Sequence, residues 1–166
     1  MERDYNQNDV KSILAYAKEL EGKSFHAVIE SYENNDDRKK ELYETYGNKS
    51  RKGGLGNLLE EVFFGYKANS KQEADFKEAG LELKVTPFEY TKKGKLKAGE
   101  RLVLTMISYD KPFETDFYKS HLWEKLNMIL LVYYYRNREL ESNLLYEIKY
   151  VSLFTPPSED IEIIKN

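Results

Sequence analysis

No cysteine occurs among the 166 residues, which removes disulfides and thiolate metal sites from consideration. Histidine is scarce too: His26 and His121 are the whole supply, and they form no zinc-ligand spacing. No run of roughly 18 apolar residues exists to cross a bilayer, in keeping with 33% charged residues and a mean hydropathy of −0.73. The opening stretch MERDYNQNDVKS lacks the basic-then-apolar order of a secretory leader, so a cytoplasmic setting is expected. With 4 prolines and 9 glycines there is no low-complexity linker, and no internal repeat is visible. The chain reads as a single domain, residues 1–166, able to bury about two-thirds of its unfolded surface.

What remains is a folded, tyrosine-rich composition, 40% hydrophobic and 14% aromatic. The net charge of −3 argues at first against a polyanionic partner. Its distribution argues otherwise. Between residues 49 and 101 there are 12 Lys or Arg against 8 Asp or Glu, an excess of +4 that leaves −7 for the remainder. Within that basic middle, Lys92, Lys93, Lys95, Lys97 and Arg101 crowd a short glycine-containing stretch that suits a phosphate backbone, although a solvated hairpin loop accounts for the charges equally well.

Along the chain, Asp9 is placed to cap a helix running to about Glu21, with Ile13, Leu14, Ala17 and Leu20 on one stripe. Residues 33–40 read as a loop, and the charged stretch to Tyr46 as a short helix. Arg51-Lys52-Gly53-Gly54-Leu55-Gly56 leads into a helical stretch holding Leu58, Leu59, Val62 and Phe63. It lacks the lysine after the last glycine that a phosphate-binding loop requires. Residues 81–90 alternate as a strand with Leu81, Leu83 and Val85 on one face, and residues 102–107 read as a buried strand paired with it through a hairpin at Lys92-Lys93-Gly94-Lys95. A helix over 118–126, strands over 128–135 and 144–154, and a last helix capped by Ser158 after Pro156 and Pro157 complete the order. Mixed helices and strands point to an α/β or α+β fold. Trp123 reads as core, and Tyr133, Tyr134 and Tyr135 as supplying both faces of a sheet.

The chemistry concentrates in ADFKEAGLELKVTP. A strand puts Glu82 and Lys84 on one face because side chains alternate with a period of two, and Asp75 lies just before it. Carboxylate oxygens suit a divalent metal. Such a cation acidifies water and shields a phosphorus centre, while a lysine orients or deprotonates that water or neutralises developing charge. Phosphodiester hydrolysis fits this set. A lone Glu-x-Lys also arises on any solvated strand of alternating charge, so the triplet alone decides little.

The order KGGLGNLLE, SKQEADF, GLELKVTPF and ERLVLTMISYD closely resembles the MutH mismatch-repair endonuclease and the related restriction enzymes that cut at GATC, and FETDFYKSHLWEKLNMILLVYY fits more loosely. Together these cover residues 52 to about 135. The resemblance implies a restriction-endonuclease fold, a mixed central sheet flanked by helices. It implies metal binding by Asp75 and Glu82, a catalytic role for Lys84, and Glu60 as the helix-borne glutamate that completes the acidic site. The backbone carbonyl of Leu83 is a further oxygen ligand in this reading. The chain is one residue longer than MutH between the helix glutamate and Asp75, so either Glu60 or Glu61 faces the metal, Glu60 being preferred because it follows Gly-x-Leu-Leu as in the family. Lys52 and Gly53 resemble a loop that touches DNA. Lys125 sits near a further functional lysine of related enzymes, with Asn127 as the alternative alignment.

The expected activity is therefore Mg²⁺-dependent hydrolysis of double-stranded DNA, at a site containing GATC, leaving 5′-phosphate and 3′-hydroxyl ends. The alternatives are a nicking enzyme that needs partner proteins and a catalytically idle DNA-binding or dimerisation module. Restriction enzymes of this family are longer and add a C-terminal DNA-recognition domain. The resemblance thus implies an N-terminal part of a two-domain enzyme, with dimerisation on DNA.

Overall fold

The computed structural model of the chain describes residues 3–47, 54–66, 74–105 and 116–165. Four helices come first. Helix α1, Val10–Ala17, is capped by Asp9, whose carboxylate accepts from the Lys11 amide, and it tightens into a 3₁₀ turn, Lys18–Leu20. Helix α2, Phe25–Tyr32, is capped by the Ser24 hydroxyl. Its buried residues Phe25, Val28 and Ile29 follow an i, i+3, i+4 pattern, and this helix is absent from the sequence reading. Helix α3, Asp36–Tyr46, begins inside the stretch read as a loop. Asn35 caps it, and Asp36 and Asp37 place negative charge at its positive end. Helix α4, Gly54–Leu58, runs directly into a π-helical segment, Leu59–Phe64, which stops where Gly65 turns left-handed at φ 77°.

The sheet has four strands in the order β2-β1-β3-β4, with β1 Glu82–Tyr90, β2 Leu96–Ala98, β3 Ile129–Tyr135 and β4 Glu147–Phe154. Strands β1 and β3 are parallel, and the outer pairings are antiparallel. Helices α1 to α4 cover one face. Leu83, Leu130, Val132, Tyr134, Ile148 and Val151 point into that layer and join Ile13, Phe25, Leu42, Leu58 and Phe63 in one core. Phe63 is fully buried and stacks on Tyr16 at 4.4 Å between ring centroids. Burying such a side chain contributes roughly 1.5–3 kcal/mol. The other face carries Glu82, Lys84, Thr86 and Phe88. Helix α5, His121–Leu126, contacts β1, and α6, Ser158–Lys165, follows the last strand. The mixed sheet with helices is the expected fold class.

Two expectations change in detail and a third stands. Strand pairing after the hairpin begins at once, with Tyr90 opposite Leu96, because a tight turn closed by Thr91 and Gly94 (φ 73°) returns the chain within five residues. The strand partner is therefore 96–98, and the described part of the expected strand at 102–107 is irregular, with Val103 65% exposed. Residues 106 and 107 lie outside the described residues. Trp123 is half-buried against Phe117 and Tyr118 and is not part of the core. The tyrosine run divides as read: Tyr134 packs into the core against Phe25 and Tyr146, and Tyr133 and Tyr135 occupy the opposite face.

At the far end of β1 a knot of charge fastens the hairpin. Glu89 is 7% exposed and accepts from Arg136 Nε at 2.7 Å and Arg138 Nε at 2.9 Å, with Lys97 Nζ at 3.1 Å. Burial alone would raise its pKa, but the hydrogen bonds from Arg136, Arg138 and Lys97 outweigh it and hold the carboxyl at about 2. A depressed carboxyl contributes stability that is complete above its unfolded value, near 4.5, and is lost as pH falls through its folded value. Glu89→Gln is therefore expected to unfold at lower urea than the wild type near pH 7, with the gap narrowing toward about pH 2.5. Urea titrations at the two pH values measure this, and an equal gap at both contradicts it.

Candidate active site

The parallel register decides what surrounds Glu82. Glu82 pairs with Ile129, and its amide donates to the Met128 carbonyl at 3.0 Å. The residues immediately before β3 thus lie beside the first residue of β1. Helix α5 ends there and delivers Lys125. Its Nζ lies 3.1 and 3.2 Å from the two carboxylate oxygens of Glu82, while Lys84 reaches Glu82 Oε1 at 2.8 Å from along the same strand face. The Glu82 side chain is 3% exposed, a position that a carboxylate occupies only with opposite charge close by. Lys125, rather than Asn127, is the residue that makes this contact.

Asp75 reaches the same end of β1 by a local fold-back. Phe76 and Leu81 exchange backbone hydrogen bonds across a 3₁₀ turn, Lys77–Ala79. This lays Asp75 against the strand, where Oδ2 accepts from the Leu83 amide at 2.8 Å. The contact that Leu83 makes with the acidic group is through its N–H.

The π-helical segment supplies the third carboxylate and separates two neighbouring glutamates. Glu61 turns to α3, where Tyr46 donates to it at 2.8 Å and Arg38 pairs with it. Glu60 turns to the site. Carbonyls at the end of this segment find partners from the N-terminal residues: Arg3 donates to Phe63 O at 2.8 Å and to Val62 O, Tyr5 to Phe64 O at 3.0 Å, and Tyr16 to Phe63 O at 3.1 Å. Backbone groups that a helix end leaves orphaned are thereby satisfied, which stiffens the segment holding Glu60.

The three acids repel one another in a poorly hydrated place. Burial first, and then the charges of Asp75 and Glu82, raise Glu60 to about 7, against the opposing effect of Lys84 and Lys125. Burial and the charge of Glu82 raise Asp75 to about 6, although the Leu83 amide and the two lysines favour its ionised form. Among the described residues, no three acidic or histidine side chains are already gathered at metal-holding distance, and Glu82 directs both oxygens at lysines. The donor set nevertheless fits a hard divalent cation: it consists of carboxylates whose mutual repulsion such a cation relieves.

Other sequence candidates fall elsewhere. Lys92, Lys93, Lys95 and Arg101 are exposed on and after the hairpin, at the opposite end of β1 from Glu82. Lys52 and Gly53 lie outside the described residues. A hollow of about 490 Å³ on the Lys84 face is lined by Thr86, Phe88, Leu96, Tyr133 and Tyr150 with Glu100. It is apolar and offers no set of converging carboxylates, so the acidic cluster is the better candidate for chemistry.

The raised carboxyls have a measurable consequence in metal-free protein. A carboxyl whose folded value lies above its unfolded one favours folding while protonated, and it loses that contribution as pH rises from about 4 through the folded value. Asp75→Asn should therefore melt above the wild type near pH 7.5 in chelator. Allowing for solvent screening, the gain is about 1 kcal/mol or roughly 2–4 °C, and it should vanish near pH 4. Thermal scans at both pH values test this, and a lower melting temperature for the variant near pH 7.5 contradicts it.

Comparison with known proteins gives this cluster a family context. Residues 64–166 match the family described as DNA mismatch repair enzyme MutH, a span that includes Asp75, Glu82, Lys84 and Lys125 but not Glu60. Over 86 residues the chain is 42% identical to the type II restriction enzyme Sau3AI of Staphylococcus aureus, a match covering 52% of this chain and 17% of that protein. With more than half of its length matched to the family, and the lysine-flanked acid pair inside the matched span, the chain belongs to the MutH family.

Proposed function

We propose that this chain is the catalytic domain of a type II DNA endonuclease that hydrolyses phosphodiester bonds with Mg²⁺, at a site containing GATC, leaving 5′-phosphate and 3′-hydroxyl ends. The observation that carries the reading is the convergence of Glu60, Asp75 and Glu82 with Lys84 and Lys125 at the start of β1 in a chain of this family. Asp75 and Glu82, with the Leu83 carbonyl, are the groups that would hold the cation, and Glu60 completes the acidic set. When bound, the cation supplies Lewis acidity toward water and the phosphoryl oxygens.

The remaining work falls to the side chains. Lys84 carries N–H donors and, while charged, no lone pair, so it orients the attacking water and neutralises charge that builds on the phosphoryl oxygens. Lys125 holds Glu82 in place and balances it. The hairpin lysines Lys92, Lys93 and Lys95, with Arg101, Lys52 and Gly53, attract the DNA backbone without reading sequence. Because the match spans 17% of the Staphylococcus enzyme, base choice in this reading belongs in part to a further recognition domain or to a partner copy on DNA. The intact acid and lysine set favours this over an idle binding module.

Plasmid digestion with and without Mg²⁺, followed by sequencing of the ends, tests the activity. Linear product with 5′-phosphates is expected, and nicked circles alone would favour the repair-type alternative. Asp75→Ala and Glu82→Ala should each lower cleavage by about 100-fold or more. Lys84→Met should do the same while retaining Ca²⁺ binding. Near-normal cutting by both acid variants contradicts the assignment. Neutralising Lys92, Lys93 and Lys95 should flatten the dependence of log affinity on log salt by up to roughly 3, equally for GATC and scrambled duplexes. An unchanged slope would show that the hairpin does not touch DNA.

A further inference from the structure

Among the described residues, two buried side-chain polar atoms have no hydrogen-bond partner: Asn143 Oδ1 and the hydroxyl of Tyr66. The second is notable for its place. The Tyr66 amide donates to the Glu60 carbonyl at 2.9 Å, which ties the residue to the segment that carries one acid. Its ring meets Phe76, the neighbour of Asp75, edge-on with centroids 5.4 Å apart, and leans on Phe64 at 6.3 Å. Tyr66 thus spans the two chain segments that bring Glu60 and Asp75 to the site.

We propose that Tyr66 is a positioning residue for the acidic site, its hydroxyl donating a hydrogen bond to the Asp75 carboxylate once a divalent cation draws the acids together. The inference rests on the metal-dependent reading above. Buried hydroxyls are nearly always partnered, so an unpaired one beside an acidic site calls for a specific explanation. Burial, followed by the charges of Asp75 and Glu60, drives the phenol far above its ordinary pKa, so it keeps its proton and remains a donor at working pH. Among the described residues Asp75 has an acceptor to spare, because its one hydrogen bond there, from Leu83, falls on Oδ2. A hydrogen bond of this kind orients a metal-binding carboxylate and tightens the loaded state.

The test uses Tyr66→Phe, which removes one oxygen and keeps the ring that packs on Phe76. Wild type, Tyr66→Phe and Asp75→Ala are titrated calorimetrically with Ca²⁺, and cleavage kinetics are followed with Mg²⁺. Tyr66→Phe is expected to bind Ca²⁺ about ten-fold or more weakly, and to lower kcat with KM for DNA unchanged. Its melting temperature in chelator should be no lower than that of the wild type. Wild-type Ca²⁺ affinity in Tyr66→Phe, with affinity lost in Asp75→Ala, overturns the Tyr66 inference and leaves the metal reading standing. Wild-type affinity in Asp75→Ala overturns both. A fall in the chelator melting temperature of Tyr66→Phe, with Ca²⁺ affinity kept, reduces Tyr66 to a packing residue and also overturns the inference.

Discussion

A carboxylate buried at the first residue of a parallel strand is the constraint around which the site is arranged. Glu82 has almost no contact with solvent, and an ion so placed is tolerated only when opposite charge arrives with good geometry. Lys84 is supplied by the strand's own alternation. Lys125 comes from the end of α5, forty-three residues along the chain, and reaches Glu82 because β3 runs parallel to β1 in a register that sets Ile129 beside it. Shifting that register by one residue would turn every side chain of β3 to the other face. It would pull Lys125 away and send Leu130 and Val132 out of the helical core together. Packing and site electrostatics are thus decided by one pairing.

The two ends of β1 solve opposite problems. At the start, three acids face two lysines and the raised carboxyls record an imbalance. At the far end, Glu89 is surrounded by Arg136, Arg138 and Lys97 and lies well below its ordinary range. The first end is poised to accept positive charge and the second is already saturated with it. The basic hairpin is anchored by the saturated end, so its exposed lysines project from a fixed base.

Local signals were legible in the sequence and non-local ones were not. Asp9 as a cap, the 81–90 strand with Glu82 and Lys84 on one face, and the break at Pro156 all rest on interactions within a few residues. The same holds for Asp75, whose fold-back is closed by the adjacent Phe76 and Leu81. That Lys125 is the residue that meets Glu82 depends on β1 and β3 pairing in parallel, which no local pattern states. The strand expected at 102–107, irregular over the described residues 102–105, came from a β-prone apolar run whose place beside β1 is taken by the three residues right after the turn. Helix α2 carries its apolar positions at helical spacing and was legible in principle. Glu60 was preferred over Glu61 only for its place after Gly-x-Leu-Leu, because helical spacing could not separate them and an α-helical wheel does not describe a π-helical segment.

That segment has a consequence for how this chain tolerates change. A π-helical turn holds one residue more than an α-helical turn over the same rise, and here both ends are pinned: Leu58 lies in the core, while Arg3, Tyr5 and Tyr16 grip the carbonyls near Gly65. Gaining or losing one residue inside it would rotate the intervening side chains by about a quarter turn without translating either end. Two glutamates stand side by side at that point, one turned to the strand and one to α3. A one-residue deletion just ahead of the doublet would bring Glu61 to the direction that Glu60 now takes, so the doublet keeps a carboxylate at the acidic site through a kind of mutation that ordinarily removes one.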